Sequence, residues 1–259
     1  MDAFCTNLES FISKYGHDGK SELNTLCSKH QVELAPQTHE DDTGFTYGGL
    51  QISKDGALRL LFAEGNLGVN VSDVSRDFHE ALKTATTTTT TTTTSSSSSS
   101  PSSGGRSAFN ITARQSVRES YDPEISATQR AIGSLVGAPD IRLVPNFEAN
   151  AAVLAEAGTL GKVRDDWDKI LGAASLAYFE GLKYQLERAG FKDDDLLQEG
   201  WKEGVSKGEI SLRVVDKLQS TKGQYHEVLL EHGVLVIQTT PEYLWTNTSD
   251  VGSEILEIL

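Results

Sequence analysis

Glu209-Ile210-Ser211-Leu212-Arg213-Val214-Val215-Asp216, Tyr225-His226-Glu227-Val228-Leu229-Leu230-Glu231 and Val234-Leu235-Val236-Ile237-Gln238-Thr239-Thr240 are the three stretches on which the fold turns. In the first, Ile210, Leu212, Val214 and Asp216 alternate with Ser211, Arg213, Val215 and Lys217. In the second, His226, Val228 and Leu230 alternate with Tyr225, Glu227, Leu229 and Glu231. A period of two is that of a strand with one face on a core. The third is a short apolar run that Pro241 ends. His232-Gly233 supplies a two-residue turn between the last two stretches. Taking each strand to pair with its neighbour in sequence, the spacing predicts a three-stranded antiparallel meander.

With Gln219–Gly223 as the first loop, that meander sets Val214 opposite Val228 and Asp216 opposite His226. With His232-Gly233 as the second, it sets Val228 opposite Ile237 and His226 opposite Thr239. Cross-strand neighbours have Cβ atoms about 5 Å apart, so Asp216, His226 and Thr239 form one expected row. A carboxylate beside an imidazole fixes its tautomer and raises its pKa, and a hydroxyl beside that pair is a nucleophile or a substrate ligand. The competing reading is a cross-strand ion pair closing the edge of a core.

Ahead of the strands the period is helical. Pro123 suits a first turn, opening a helix that stops near Gly137. Asn146 to Leu160 carries Phe147, Asn150/Ala151, Leu154 and Ala157 on one stripe. Asp165 to Ala189 is the longest segment, with Trp167, Ile170, Leu171, Ala174, Tyr178, Leu182 and Leu186 recurring every three or four residues before Gly190. Phe179 and Tyr184 widen its apolar face, predicting more than one packing partner. Trp167, Tyr178 and Phe179 are core residues on the simpler reading and the lining of a pocket for an apolar ligand on the other. A fourth helix runs from Asp194 to about Val205, weakened at Gly200 and Gly204 by roughly 1 kcal/mol each.

The N-terminal residues 1–84 read as a small α+β unit. Phe4, Leu8, Phe11, Ile12 and Tyr15 have helical spacing, Ser21 caps a second helix, and Val74, Phe78, Ala81 and Leu82 form the buried side of a last one. Phe45 to Ser53 and Ala57 to Phe62 flank Lys54-Asp55-Gly56, a hairpin signal. Between the units, residues 85–107 hold nine threonines and six serines in succession, then Pro101, Ser102, Ser103, Gly104 and Gly105. No apolar group there offsets the entropy of ordering, so a disordered linker is expected. The fold class is α+β in two domains, 1–84 and 108–259.

The net charge of −14 is shared: 7 basic against 13 acidic side chains in residues 1–85, and 15 against 24 in residues 108–259. Phosphate backbones and anionic membrane surfaces are repelled by both halves, and no basic run compensates. The partners expected are another protein or a small apolar ligand. Cys5 and Cys27 do not make a disulfide framework, and no export signal opens the chain, so a cytoplasmic location is expected, the nucleus also being open. Gly19-Lys20-Ser21 lacks the preceding glycine and strand of a phosphate loop and reads as a helix–turn–helix connection. Asp165, Asp166 and Asp168, and Asp193 to Asp195, fit helix-start electrostatics better than a metal site. Cys27 and His30 lack a second soft pair for zinc. No metal and no cofactor is expected. The leading functional reading is an acidic intracellular binding or scaffold protein. The alternative is a small-molecule enzyme or carrier using Asp216 and His226, with Thr239, in a cup-shaped C-terminal domain.

Overall fold

The computed structural model describes residues 2–38, 47–69, 78, 80–82, 84–85, 108–219 and 225–259. The Thr/Ser linker, Phe45, Val74 and most of the Gln219–Gly223 loop lie outside them. The chain mixes helix and strand, with two small sheets. It divides into two compact units, Met1–Ile111 and Thr112–Leu259.

In the first unit α1 (Asp2–Leu26) is two helices meeting at Gly16, whose φ of 55° and ψ of −133° are not helical. The connection is tighter than expected: the second helix resumes directly after Gly16, and Ser21 lies inside it, its carbonyl accepting from Thr25 Oγ1. The sheet runs β1 (Val32–Pro36), β3 (Leu58–Phe62), β2 (Gly48–Ile52) in spatial order. Strands β2 and β3 form the antiparallel hairpin that Asp55-Gly56 announced, while β1 joins β3 in parallel. The sequence hid β1 because Pro36 lacks a ladder donor, which an edge strand tolerates. Phe11, Tyr15, Leu26, Leu50, Leu58, Phe78 and Leu82 make the core.

The hairpin turn holds an ionisable cluster. Ser53 Oγ lies 2.5 Å from Asp55 Oδ1, and Lys29 donates to Asp55 Oδ2. The Lys29 hydrogen bond, then that of Ser53, holds the Asp55 carboxyl down at about 2 against its ordinary 3.8. A depressed carboxylate contributes stability that is present above the unfolded value and lost as pH falls through the folded one. Asp55→Asn is therefore expected to flatten the dependence of melting temperature on pH between about 4 and about 2. Thermal melts across that window check this.

The second unit begins within α2 (Ile111–Ser116), at Thr112, and continues with a π-helical turn Val117–Tyr121 and α3 (Asp122–Leu135), where Pro occupies the first turn. Then come β4 (Arg142–Val144), α4 (Phe147–Thr159), α5 (Trp167–Arg188) and α6 (Asp195–Gly204). Strands β5 (Glu209–Val214), β6 (His226–Glu231) and β7 (Val234–Thr239) follow, and α7 (Ile255–Ile258) closes the chain. Helix α6 is capped by Asp194, whose carboxylate accepts from the N–H groups of Leu196 and Leu197. Helix α5 is the axis of the unit and packs against α3, the π-helical turn and the short turn Thr248–Asp250. Leu171, Ala174, Tyr178, Phe179, Leu182 and Leu186 along it are each fully buried. Each large member of that set stabilises the fold by roughly 1.5–3 kcal/mol.

The sheet corrects the expected meander. Its order is β4-β5-β7-β6: β5 pairs with β7 in parallel, β6 pairs with β7 in antiparallel, and β4 adds in parallel outside β5. The physical reason lies in burial. Five of the six residues of β7 are buried and only one of the six in β6, so the more apolar strand takes the interior place and β6 the edge. Adjacency in sequence lost to the demand for two covered faces.

Because β4 ends at Val144, opposite Ser211, the rest of β5 has no strand on that side among the described residues. Asparagines of α4 take its place. Asn150, 2% exposed, donates to the carbonyls of Pro145 and Leu212, and its Oδ1 accepts from the N–H of Val214 at 2.7 Å. Asn146, in left-handed conformation at the helix start, donates to Ser211 Oγ and Leu212 O. These bonds seat α4 across the carboxyl end of β5.

Candidate functional site

The expected row of Asp216, His226 and Thr239 is half formed. His226 does face Thr239, and Val228 faces Ile237, as the turn at His232-Gly233 requires. Asp216 does not face His226, because β7 lies between β5 and β6 and keeps those strands about 10 Å apart. The position across Thr239 from His226 is Val214.

His226 and Thr239 serve a structural network instead. Tyr178 Oη donates to Thr239 Oγ1 at 2.9 Å, and Thr239 Oγ1 donates to the carbonyl of Tyr225 at 2.9 Å. The N–H of Trp245 donates to Tyr178 Oη at 3.1 Å, and the carbonyl of Tyr243 lies 3.3 Å away from it. His226 Nε2 meets the carbonyl of Asn247 at 3.0 Å, and its ring stands edge-on to that of Tyr178. Burial pushes the Tyr178 phenol above its ordinary value, against the opposing pull of its bonds to Thr239 and Trp245. Thr239 is 0% exposed, so its hydroxyl is spent on holding strand to helix.

Trp167, Tyr178 and Phe179 are buried in the core. A cleft that they do not line lies at the sheet's carboxyl edge. Strands β5 and β7 point the same way, so the segments leaving them, Asp216–Gln219 and Thr240–Tyr243, emerge side by side. Together with the end of α4 and the loop after it they bound a cleft of about 1220 Å³. Val153, Ala157, Leu160, Val163, Leu218 and Pro241 supply its apolar surface. Leu160 is 62% exposed there.

Charges of both signs ring the cleft: Glu156, Asp216 and Glu242 against Lys162, Arg164 and Lys217. Arg164 is gripped in two places by Asp166, with Nη2 at 3.0 Å from Oδ2, and this bond holds the Asp166 carboxyl below the usual range. Of the residues singled out from sequence, Asp216 alone lies on the cleft wall. The remainder of the wall had a signal only in topology. Crevices of this kind form where parallel strands end, and the parallel pair was masked by the assumption of a meander.

No family model, curated protein or solved structure matches this chain.

Proposed function

We propose that this chain works by binding, and that its C-terminal unit takes a segment of a partner protein in the cleft at the carboxyl ends of β5 and β7. The observation that carries this reading is the cleft's composition: an open apolar trench with Leu160 presented on it, rimmed by three acidic and three basic side chains. A peptide matches that pattern, with one apolar side chain seated in the trench and a flanking pair of opposite charges along the rim. Small-ligand pockets enclose most of their occupant with few charges, and this trench is open and charged. The groups that an acid–base mechanism would have used support the same choice, since β7 separates the strands of Asp216 and His226 and Thr239 is occupied in holding the fold. The acidic balance of both units favours a protein partner over a phosphate backbone.

The test is a selection of short random peptides on the purified full chain, with Leu160→Asp as the counter-selected variant. Peptides with an apolar residue between charges are expected to bind the wild type and to lose at least tenfold in affinity for Leu160→Asp. Enriched peptides that bind both proteins equally, or no enrichment at all, would remove the cleft as the site.

A further inference from the structure

Between Leu244 and Val251, both buried, residues 245–250 cross the outside of α5 as a strap, and none of their six side chains is buried. What holds the strap is its backbone. The N–H of Trp245 donates to Tyr178 Oη, Gln185 Nε2 donates to the carbonyl of Ser249 at 2.6 Å, and His226 Nε2 meets the carbonyl of Asn247. Gly181 makes the seat, for a Cβ at that position would lie 1.7 Å from the carbonyl oxygen of Thr248.

The seated strap is also strained. Trp245 has φ of 65° and Asn247 φ of 48°. Asparagine adopts that conformation readily, but a tryptophan there is an outlier that persists only where its surroundings enforce it. Trp245 is nonetheless 40% exposed, so the strain is not matched by full burial. A segment with no buried side chain, a few hydrogen bonds and a strained residue belongs to the low end of local stability.

We infer that residues 245–250 open as a unit while the sheet stays folded, and that this opening moves the Pro241–Tyr243 wall of the cleft. The link is Tyr178, whose single hydroxyl touches both the Trp245 N–H and the Tyr243 carbonyl. Tyr178 is thus a positioning residue for the cleft, acting through the strap. The gating role rests on the cleft being the binding site; the local opening does not.

Amide hydrogen exchange on the full chain reads the opening. The Trp245 and Asp250 amides are expected to exchange at least 100-fold faster than the Ile237 amide, whose strand lies inside the sheet. Tyr178→Phe should widen that ratio at Trp245 by roughly a further tenfold, the effect of one hydrogen bond. If Tyr178→Phe fails to fold, Gln185→Met removes only the bond to Ser249 and should widen the ratio at Asp250. One common rate for strap and sheet amides in every folded protein would overturn the opening. Dissociation of a cleft-selected peptide reads the gate: it should speed up severalfold in Tyr178→Phe. Unchanged dissociation alongside faster strap exchange would remove the gate and leave the cleft reading standing.

Discussion

Asn150→Leu lowers the stability of the C-terminal unit by about 3 kcal/mol. Leucine keeps the branching and heavy-atom count of asparagine, so the main loss is one of hydrogen bonds, to which its bulkier methyl groups add some overpacking. The Val214 N–H then has no acceptor on its outer side, the Pro145 carbonyl loses its donor at 2.7 Å, and the Leu212 carbonyl keeps only Asn146. Each buried polar group left without a partner costs about 1–3 kcal/mol, and the gain in apolar burial is smaller because the site is built for an amide. Urea unfolding is the measurement: the midpoint should fall with the slope unchanged. A loss under 1 kcal/mol would mean that α4 does not complete the sheet.

Gly172→Ala is expected to destabilise by about 2 kcal/mol, against the usual sign for a helix interior. Alanine exceeds glycine in helix propensity by about 1 kcal/mol. At Gly172, however, the new Cβ would meet the carbonyl oxygen of Ser116 at 2.2 Å and the Cα of Val117 at 2.7 Å. Backbone cannot swing aside as a side-chain end can, and the Gly172 N–H bond to Ser116 Oγ holds the two segments together. Overpacking of this kind costs about 1–3 kcal/mol, with more in rigid surroundings. The matched control is Gly200→Ala on α6, which has nothing within 4 Å and should stabilise by about 0.5–1 kcal/mol. Opposite signs for these two substitutions in thermal or urea unfolding are the expected result. The same sign for both would mean that α5 and the π-helical turn do not touch at Gly172.

Long periodic segments were legible because their signal is repeated. The stripe from Trp167 to Leu186 names α5 and its buried face without further information. Asp55-Gly56 and His232-Gly233 fix their hairpins, so the register of His226 against Thr239 followed from the turn alone. Two kinds of feature were not legible. The short strands β1 and β4 are three to five residues long and carry or adjoin a proline, too little for a period to show. The partner of β5 was a global choice: β7 had to be covered on both faces, and no local pattern around Asp216 records that. The candidate site inherited the error. Asp216 was chosen for a neighbour it does not have, and it proves to lie on the cleft wall for a topological reason. Thr239 was singled out as chemistry and Tyr178 as core or pocket lining, and the structure uses both to hold strap, strand and helix together.

The measurement that bears most directly on the binding account is isothermal titration of the full chain with a peptide selected on the cleft, repeated on Leu160→Asp and on Lys217→Glu. Lys217 is exposed on the rim, at a distance from the core, so its reversal leaves the fold alone. The account predicts that Leu160→Asp weakens binding at least tenfold. It also predicts that Lys217→Glu weakens a peptide with an acidic flank and spares one with a basic flank. Equal affinity for all three proteins, with either flank, would contradict it.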